Sequence, residues 1–285
     1  MSEINIDIKI AILVVLYNKE IDESKTLTTL LNNFNHEERI TLYIVNNGPR
    51  KINLSNLLSS RFESKFRQVI FKEYTENKPL SKIYNEFINN CCGDYFLIFD
   101  DDSEPQESYF DMLKNIKYDI VFPRIKSLDD GFFYYPCSND STISKDGYLN
   151  ISSTMSIASG LVISKKAISL MKKYFNSVFD ERYALYGIDT SFIFRLRDVN
   201  SKERDILTFY STGLILHSLS RTSTELSEFR TIERLCDVAI TTRFYSRYYG
   251  YGVYIRKLLS SILKRKPKYL LILFSCFIRG RHPRC

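Results

Sequence analysis

The sequence predicts an α/β fold, with a mainly parallel central sheet flanked by helices, followed by a basic helical extension. Short apolar runs alternate with amphipathic helical segments in the first half of the 285 residues, polar turn residues follow successive runs, and basic residues are concentrated at the end. Alternating strands and helices are typical of parallel sheets covered by helices on both faces. The length allows one large domain, or one domain with an appendage.

In the first half, apolar runs bounded by turn residues predict strands, and apolar side chains at 3.6-residue spacing predict helices. The run at 8–16 is apolar almost throughout, as expected of a strand covered on both faces. The predicted strands are 8–16, 42–45, 69–74 and 95–99, and the predicted helices are about 23–33, 80–90 and one that begins near Glu104.

The second half is more mixed. Residues 127–150 are rich in Asp, Gly, Ser and Asn and predict a long loop, which at that length is usually functional or mobile. The predicted strands are 119–122, 158–163 and 214–217, and the predicted helices are 165–175 and about 190–198.

Charge divides the chain at Asp237. Residues 1–237 contain 29 Lys and Arg against 33 Asp and Glu, whereas residues 238–285 contain 11 Lys and Arg and no acidic residue. This tail alternates basic residues with apolar clusters and tyrosines, which suits a membrane surface with anionic lipid. Its apolar run at 269–278 is too short to cross a bilayer. A helical hairpin packed on the first domain is the alternative, and nucleic acid is disfavoured because the rest of the chain is acidic.

Three consecutive acids, Asp100, Asp101 and Asp102, follow the predicted strand at 95–99. Ligands bind at the carboxyl ends of strands in open α/β sheets. A divalent cation would relieve the repulsion among three adjacent carboxylates, and hard oxygen ligands suit Mg²⁺ or Mn²⁺. The alternative is an acidic turn that caps the next helix, with Pro105 at its first position.

The first two predicted strands also end in polar residues, at 17–18 and 46–48. Because the carboxyl ends of parallel strands meet at one edge of the sheet, these residues and the acids can together hold a nucleotide. The sequence has no glycine-rich phosphate-binding loop, so a metal on the acids would have to neutralise a diphosphate.

Six sequence blocks in order resemble family 2 glycosyltransferases, which have the GT-A fold. The similarity covers roughly residues 8 to 220 and is greatest to bacterial enzymes of O-antigen, capsule and rhamnan assembly. The blocks are VVLYN (14–18), IVNNG (44–48), NKPLSKIYN (77–85), FDDD (99–102), SG (159–160), and FDE (179–181) with YGID (186–189).

The resemblance implies roles for residues that match these blocks. Asp100 and Asp102 resemble the DxD acids that bind the metal and the sugar diphosphate, and Asp101 is an alternative to either. Asn46 stands where the family often has Asp, but an amide oxygen can also accept from the base. Asn77 has an alternative interpretation as a turn or cap residue. The residues implied to bind the nucleotide sugar are Tyr17, Asn18, Asn46, Asn47, Asn77, Lys82, Asp100, Asp101 and Arg221.

Asp189 is the implied catalytic base. The family usually has Glu-Asp here with a further Asp, whereas this sequence has one acid, in Ile188-Asp189-Thr190-Ser191. Inverting transfer needs one carboxylate to take the proton of the attacking hydroxyl. The alternative is that Asp189 caps the next helix.

His217 ends a predicted strand, where related enzymes place a histidine on the metal or diphosphate. A core or surface histidine is the alternative. Arg221 lies just beyond it and can pair with phosphate oxygens. The implied metal ligands are therefore Asp100, Asp102 and His217.

The sequence thus predicts an inverting glycosyltransferase that depends on Mn²⁺ or Mg²⁺. It would move a hexose from a UDP-glucose, UDP-galactose or UDP-GlcNAc type of donor to a lipid-linked intermediate of a bacterial surface polysaccharide. A dTDP-rhamnosyltransferase is an alternative, as is a non-catalytic nucleotide-binding or membrane-docking protein.

The predicted catalytic domain spans residues 1–237, with a nucleotide-binding half at about 1–105 and an acceptor half at about 106–237. Residues 238–285 form the predicted basic tail. Six cysteines without a Cys-x-x-Cys pair, and an N-terminus without a signal peptide, predict a cytoplasmic protein with reduced thiols, peripheral on the inner face of the plasma membrane.

Overall fold

The computed structural model describes residues 8–52, 56–139, 141–218 and 227–285, so the predicted phosphate ligand Arg221 lies outside the described residues. The strands are β1 (Ile10–Leu16), β2 (Glu37–Asn46), β3 (Phe66–Glu73), β4 (Tyr95–Asp100), β5 (Ser103–Pro105), β6 (Ile120–Ser127), β7 (Phe133–Tyr135), β8 (Cys137–Ser138), β9 (Ser141–Thr142), β10 (Gly147–Tyr148), β11 (Thr154–Met155), β12 (Leu161–Ser164) and β13 (Phe209–His217). The helices are α1 (Lys25–Asn33), α2 (Asn56–Glu63), α3 (Leu80–Asn90), α4 (Glu107–Lys114), α5 (Lys165–Phe175), α6 (Ile188–Lys202), α7 (Glu228–Phe244), α8 (Ser246–Tyr249), α9 (Gly252–Leu263) and α10 (Pro267–Arg279).

The main sheet has the strand order β10-β13-β6-β12-β4-β1-β2-β3, and β5 and β7 pair with β13 and β6 respectively. The strands β4, β1, β2 and β3 are parallel neighbours, as the alternation of strands and helices predicted. The strand β12 runs antiparallel to both of its neighbours, β4 and β6. The sheet is therefore mixed but mostly parallel in the half where β1 to β4 end together.

The first strand lies between two apolar cores. Leu13 packs in the core that contains Phe87 of α3, whereas its neighbour Val14 packs in the core that contains Leu27 of α1. Successive side chains of a strand point to opposite faces, so a strand covered on both faces must be apolar at every position. All seven residues of β1 are buried, which confirms the prediction made from its continuous apolar run.

The helix predicted to begin near Glu104 forms, but it begins later than predicted, at Glu107. Residues Ser103–Pro105 form β5, which pairs antiparallel with β13 so that Ser103 lies opposite His217. The helix α4 begins only at Glu107, so Pro105 is not its first residue. Pairing with β13 satisfies the backbone of this segment, a long-range interaction that local sequence does not reveal.

The C-terminal helices pack on the domain as a bundle. Tyr254 of α9 and Leu273 of α10 belong to the same apolar core as Phe194 of α6. Cys236 of α7 and Cys276 of α10 meet with their sulfur atoms 3.0 Å apart. In the part of the chain that the structure describes, none of the helices combines the length and the apolar character needed to cross a membrane.

Candidate active site

The N-terminal end of α1 holds the backbone of the acidic turn. Ser24 caps α1 and donates its hydroxyl hydrogen to the Asp101 carbonyl over 3.0 Å. Thr26 Oγ1 donates to the Asp100 carbonyl over 2.5 Å and accepts from the Ser103 N–H over 2.9 Å. Both hydroxyl side chains are buried, so water does not compete for these bonds. The turn is therefore fixed by side chains about 75 residues away in sequence.

The middle acid of the triplet, Asp101, turns toward the end of β1. Its Oδ1 lies 2.5 Å from Nζ of Lys19, and its Oδ2 accepts from the Tyr17 N–H over 3.1 Å. These two contacts use both oxygens of the carboxylate. Asp101 thus joins the acidic turn to the loop that follows β1.

The outer two acids face a histidine. Nδ1 of His217 lies 3.2 Å from Oδ1 of Asp102, and its Nε2 lies 4.0 Å from Oδ2 of Asp100. One potential ligand atom of each residue lies within 4.8 Å of the others. Ser103 Oγ lies 3.1 Å from the same Nδ1 and also hydrogen-bonds to Ser159, which fixes the imidazole ring. Two carboxylates and an imidazole are a donor set that fits a divalent metal ion.

The two carboxylates of Asp100 and Asp102 carry more negative charge than His217 can neutralise. Burial raises the pKa of Asp100 to about 6, the charge of His217 opposes that rise, and the carboxylate of Asp102 adds to it. The Asp100 side chain nevertheless keeps 44% of its surface exposed, so a ligand can reach it. Burial also acts to raise the pKa of Asp102, but the hydrogen bond and charge of His217 outweigh it and bring that pKa below its ordinary value.

Burial alone would lower the pKa of His217, but the adjacent Asp102 and Asp100 raise it above the ordinary value. The two carboxylates therefore favour the protonated imidazole, whose charge would compensate part of theirs. A bound cation would take over this role, and metal binding to histidine requires its neutral form.

The second acidic centre is Asp189, in the first turn of α6. The N-cap of α6 is Gly187, so the interpretation of Asp189 as the cap residue is wrong. Gly187 has φ of +87°, and a Cβ there would lie 2.4 Å from Oδ1 of Asp237, so only glycine fits. Burial, followed by the charge of Asp100, raises the pKa of Asp189 to about 7, and a hydrogen bond from the Ala158 backbone opposes the rise. A carboxylate with a pKa near neutrality is suited to accept a proton.

Tyr84 of α3 lies near both acidic centres. Its ring is buried, and burial, then the charges of Asp100 and Asp189, hold the pKa of its hydroxyl well above the ordinary value. The next residue, Asn85, donates to the Phe179 carbonyl over 2.8 Å and so ties α3 to the segment that leads to Asp189. The block at 77–85 therefore contributes residues next to the acidic turn and next to the segment that leads to Asp189.

The side chain of Asn46 is committed to the turn after β2. Its amide nitrogen donates to the Arg50 carbonyl over 2.7 Å and to Glu73 over 3.0 Å, and its oxygen accepts from the Gly48 N–H over 3.0 Å. The residue is 1% exposed. Its direct contact with a base stays a prediction, and the structure assigns it a role in shaping the turn.

Asn47 and Asn77 lie together next to this turn. Asn47 Nδ2 donates to the Lys78 carbonyl over 3.0 Å and approaches Oδ1 of Asn77 at 3.4 Å. Asn77 has φ of +54°, a conformation that asparagine tolerates better than most residues. The loop before α3 is thereby fastened to the end of β2.

Tyr17 and Asn18 also reach this edge of the sheet. The Tyr17 ring is 50% exposed, so it is available to stack on a ligand, and the Asn18 N–H donates to the Gly48 carbonyl over 2.7 Å. Lys82 lies in the first turn of α3, where its charge acts on the Cys285 thiol, whose pKa burial raises to about 11. The structure therefore brings Tyr17, Asn18, Asn47 and Asn77 to the same edge as the acids.

Sequence reasoning missed Lys19, Ser103 and Tyr84 as parts of the site. Tyr84 stood inside a recognised block, and Ser103 directly follows the acids, so both had a local signal. Lys19 had none, because its partner Asp101 is 82 positions away.

A mostly parallel α/β sheet that ends in a pair of carboxylates with an imidazole, with a further carboxylate nearby, is the architecture of a GT-A-like fold with a possible divalent metal site. The sequence profile described as Glycosyl transferase family 2 matches residues 11–171, more than half of the chain. The chain therefore belongs to glycosyl transferase family 2. None of the curated proteins matches it.

Solved structures of S. aureus TarS have a similar fold. The crystal structure of TarS has a TM-score of 0.56 at 14% sequence identity, with 97% of this chain and 50% of the TarS chain covered. TarS 1–349 in complex with UDP-GlcNAc has a TM-score of 0.55 at 12% identity, covering 97% of this chain and 82% of that one. The chain thus spans half the length of the longer TarS chain. At these identities the similarity establishes the GT-A-like fold.

Proposed function

We propose that this chain is a metal-dependent, inverting glycosyltransferase that transfers a hexose from a UDP-hexose donor. The observation that carries the proposal is the group of Asp100, Asp102 and His217, placed close enough to Asp189 for the charge of Asp100 to act on its pKa. A donor phosphate site and a base for the acceptor must be neighbours in a single displacement at the anomeric carbon.

Asp189 is the base of this proposal. With a pKa of about 7 it takes the proton of the acceptor hydroxyl as that oxygen attacks the anomeric carbon. Asp100, Asp102 and His217 would hold Mn²⁺ or Mg²⁺, which when bound stabilises the charge of the departing nucleoside diphosphate. The imidazole nitrogen favours Mn²⁺, since Mg²⁺ prefers oxygen ligands.

A uridine donor is supported by the fold similarity to TarS, of which structures in complex with UDP-GlcNAc and with UDP exist. Tyr17 is an exposed aromatic residue at the predicted base-binding edge, and Asn47 and Asn77 lie at the same edge of the sheet. The acceptor of the proposal is a lipid-linked intermediate of a bacterial surface polysaccharide. The enzyme would act on the inner face of the plasma membrane, as the basic C-terminal tail suggests.

Thermal shift and donor hydrolysis against a panel of nucleotide sugars, with and without Mn²⁺, test the donor and the metal together. A ligand that binds the folded state raises its melting temperature by mass action. We expect a Mn²⁺-dependent shift with a UDP-hexose, lost in Asp102→Asn and retained in Asp111→Asn, which alters an exposed acid of α4. If the folded protein shows no shift with any nucleotide sugar, the proposal is contradicted. If only dTDP-rhamnose gives a shift, the donor is dTDP-rhamnose and not a UDP-hexose.

A further inference from the structure

Helices α9 and α10 expose apolar side chains in regular stripes. On each helix the exposed apolar residues recur at intervals of three or four positions, with one further residue next to the α9 stripe, and this spacing places them along one side of the helix. Three of them are among the most exposed, with 82% for Leu263, 71% for Ile278 and 70% for Leu271. The set is Ile255, Leu259, Ile262 and Leu263 on α9, and Leu271, Phe274 and Ile278 on α10.

The same helices are anchored on the domain by other side chains. Tyr254 of α9, and Leu273 and Cys276 of α10, are buried in the main core, and α10 packs along α7. Each helix therefore has one apolar side that packs on the domain and further apolar side chains that face solvent. Exposed apolar side chains that cluster on a surface commonly mark the site of a partner.

Basic residues surround the stripes. A shallow groove of about 430 Å³ on α9 is lined by Ile255, Leu259 and Leu263 together with Arg256 and Lys264. Lys257 lies in the middle of α9, and Arg265, Lys266 and Lys268 lie in or next to the turn between the helices. Residues 238–285 include no acid.

We propose that the exposed side of the α9–α10 hairpin docks the enzyme on a membrane surface that contains anionic lipid. Apolar stripes bordered by Lys and Arg have the composition of helices that lie in a membrane interface, where acyl chains accept the apolar side chains and headgroups neutralise the charge. A second copy of the chain is a poorer occupant, because it would bring two strongly basic surfaces together. The biological purpose of docking rests on the proposed lipid-linked acceptor, but binding itself does not.

The hairpin is connected directly to the candidate active site. Beyond α10, the His282 N–H donates to the Arg182 carbonyl over 2.8 Å, and Arg284 Nη1 donates to the Asn77 carbonyl over 3.1 Å. The segment after the hairpin is therefore attached to the loop predicted to lie beside the donor. A docked hairpin would keep this site close to acceptors that are carried on lipid.

Vesicle flotation tests the proposal. We expect the full chain to float with vesicles of phosphatidylglycerol and phosphatidylcholine in equal parts, and to bind about tenfold or more weakly to phosphatidylcholine alone or in high salt. The triple variant Leu259→Ser, Leu263→Ser, Leu271→Ser changes exposed side chains and should lose binding while its circular dichroism and melting temperature stay unchanged. Phe132→Ser is the matched control, since Phe132 is equally exposed but lies between β6 and β7.

Two results would overturn the docking proposal. One is a folded wild-type protein that floats with neither kind of vesicle. The other is a wild-type dimer in solution that becomes a monomer in the triple variant without any vesicle binding, which would assign the surface to a second copy. Flotation of Asp102→Asn separates this proposal from the proposed function, because this variant is expected to lose donor turnover. If it still binds the vesicles, docking is supported whatever the transfer assay shows.

Discussion

Lys19 Nζ lies 2.5 Å from Oδ1 of Asp101, and this contact gives the three consecutive acids two different roles. Asp101 is fastened to the loop after β1, while Asp100 and Asp102 remain directed at His217. The side chains of three adjacent residues cannot all point in the same direction. One of the three acids therefore faces away from His217. The structure identifies Asp101 as that acid.

Asp102→Asn should therefore mainly reduce turnover, whereas Asp101→Asn should mainly reduce stability. We expect Asp102→Asn to lower donor turnover by roughly 100-fold or more, because a charged ligand of the proposed metal is lost. Asp101→Asn should keep most of the turnover and destabilise the fold by about 1 kcal/mol, since Lys19 is partly exposed and its ion pair is screened. Steady-state kinetics and urea unfolding measure the two effects. Equal losses of turnover in both variants would show that Asp101 is itself a ligand.

Ser103→Ala should weaken metal binding without removing a ligand. Ser103 Oγ lies 3.1 Å from Nδ1 of His217, and groups that orient a ligating histidine typically contribute about 10–100-fold to metal affinity. We expect the Mn²⁺ concentration for half-maximal turnover to rise by about tenfold. Ser169→Ala, on the exposed side of α5, is the control and should leave it unchanged. Wild-type turnover that persists in excess EDTA would remove the metal from the mechanism.

The sequence was most informative where short apolar runs ended in polar residues. The strands β1, β2 and β4, the acids after β4 and the histidine that ends β13 all have this local signature, and Asp100, Asp102 and His217 meet as predicted. The buried role of Asn46 had no such signature, because its partner Glu73 lies on the neighbouring strand. Spacing along the chain identifies which residues end a strand, but not where their side chains turn.

Long-range pairing explains the remaining differences. The sequence near Glu104 satisfies the rules for a helix start, yet the backbone there pairs with β13 across the sheet. The strand β12 is as apolar as β1 and β4, which are parallel to each other, and nothing in its composition reveals that it runs in the opposite direction. The positive φ of Gly187 is required by the approach of Asp237 and Tyr183, residues that only the folded chain brings near.

Asp189→Asn should slow transfer strongly and leave donor binding intact. An amide cannot take the proton of the attacking hydroxyl, and general-base catalysis typically contributes roughly 10²–10⁴-fold. We expect kcat to fall within that range while the Kd for the donor with Mn²⁺, measured by calorimetry, stays unchanged. Thr190→Val, at the next position, is the control for disturbance of the α6 N-terminus. A small loss of kcat would mean that another residue is the catalytic base. Unchanged turnover would contradict general-base catalysis by Asp189.

The same substitution should stabilise the metal-free protein at alkaline pH. Asp189 has a pKa of about 7 in the folded chain, against roughly 3.9 when unfolded. Between these values the folded state binds more protons, so its stability falls as pH rises, and the full cost of the buried charge is present above pH 7. Asn carries no charge, so Asp189→Asn should exceed wild type by roughly 1–3 kcal/mol at pH 8 and match it near pH 4. Urea unfolding at the two pH values measures this difference. If Asp189→Asn is less stable than wild type at pH 8, the pKa of Asp189 is not raised by burial.

Arg284→Ala should weaken donor binding from outside the acidic group. Arg284 Nη1 donates to the Asn77 carbonyl over 3.1 Å, and its Nη2 lies 3.0 Å from Oε1 of Glu233, so the side chain joins the loop before α3 to α7. Without it the loop loses a charged hydrogen bond, which typically contributes about 1.5–3 kcal/mol. Because Arg284 is partly exposed, we expect the KM for the donor to rise by about three- to tenfold, with kcat changed less than twofold.

Arg281→Ala is the matched control for this variant, since Arg281 lies in the same segment but is exposed, and it should leave KM unchanged. Arg284→Lys should recover only part of the affinity, because an ammonium cannot span both partners with the planar fork of a guanidinium. If Arg284→Ala lowers kcat and leaves KM unaltered, the C-terminal segment acts on the acceptor side of the site, and Asn77 does not contribute to holding the donor.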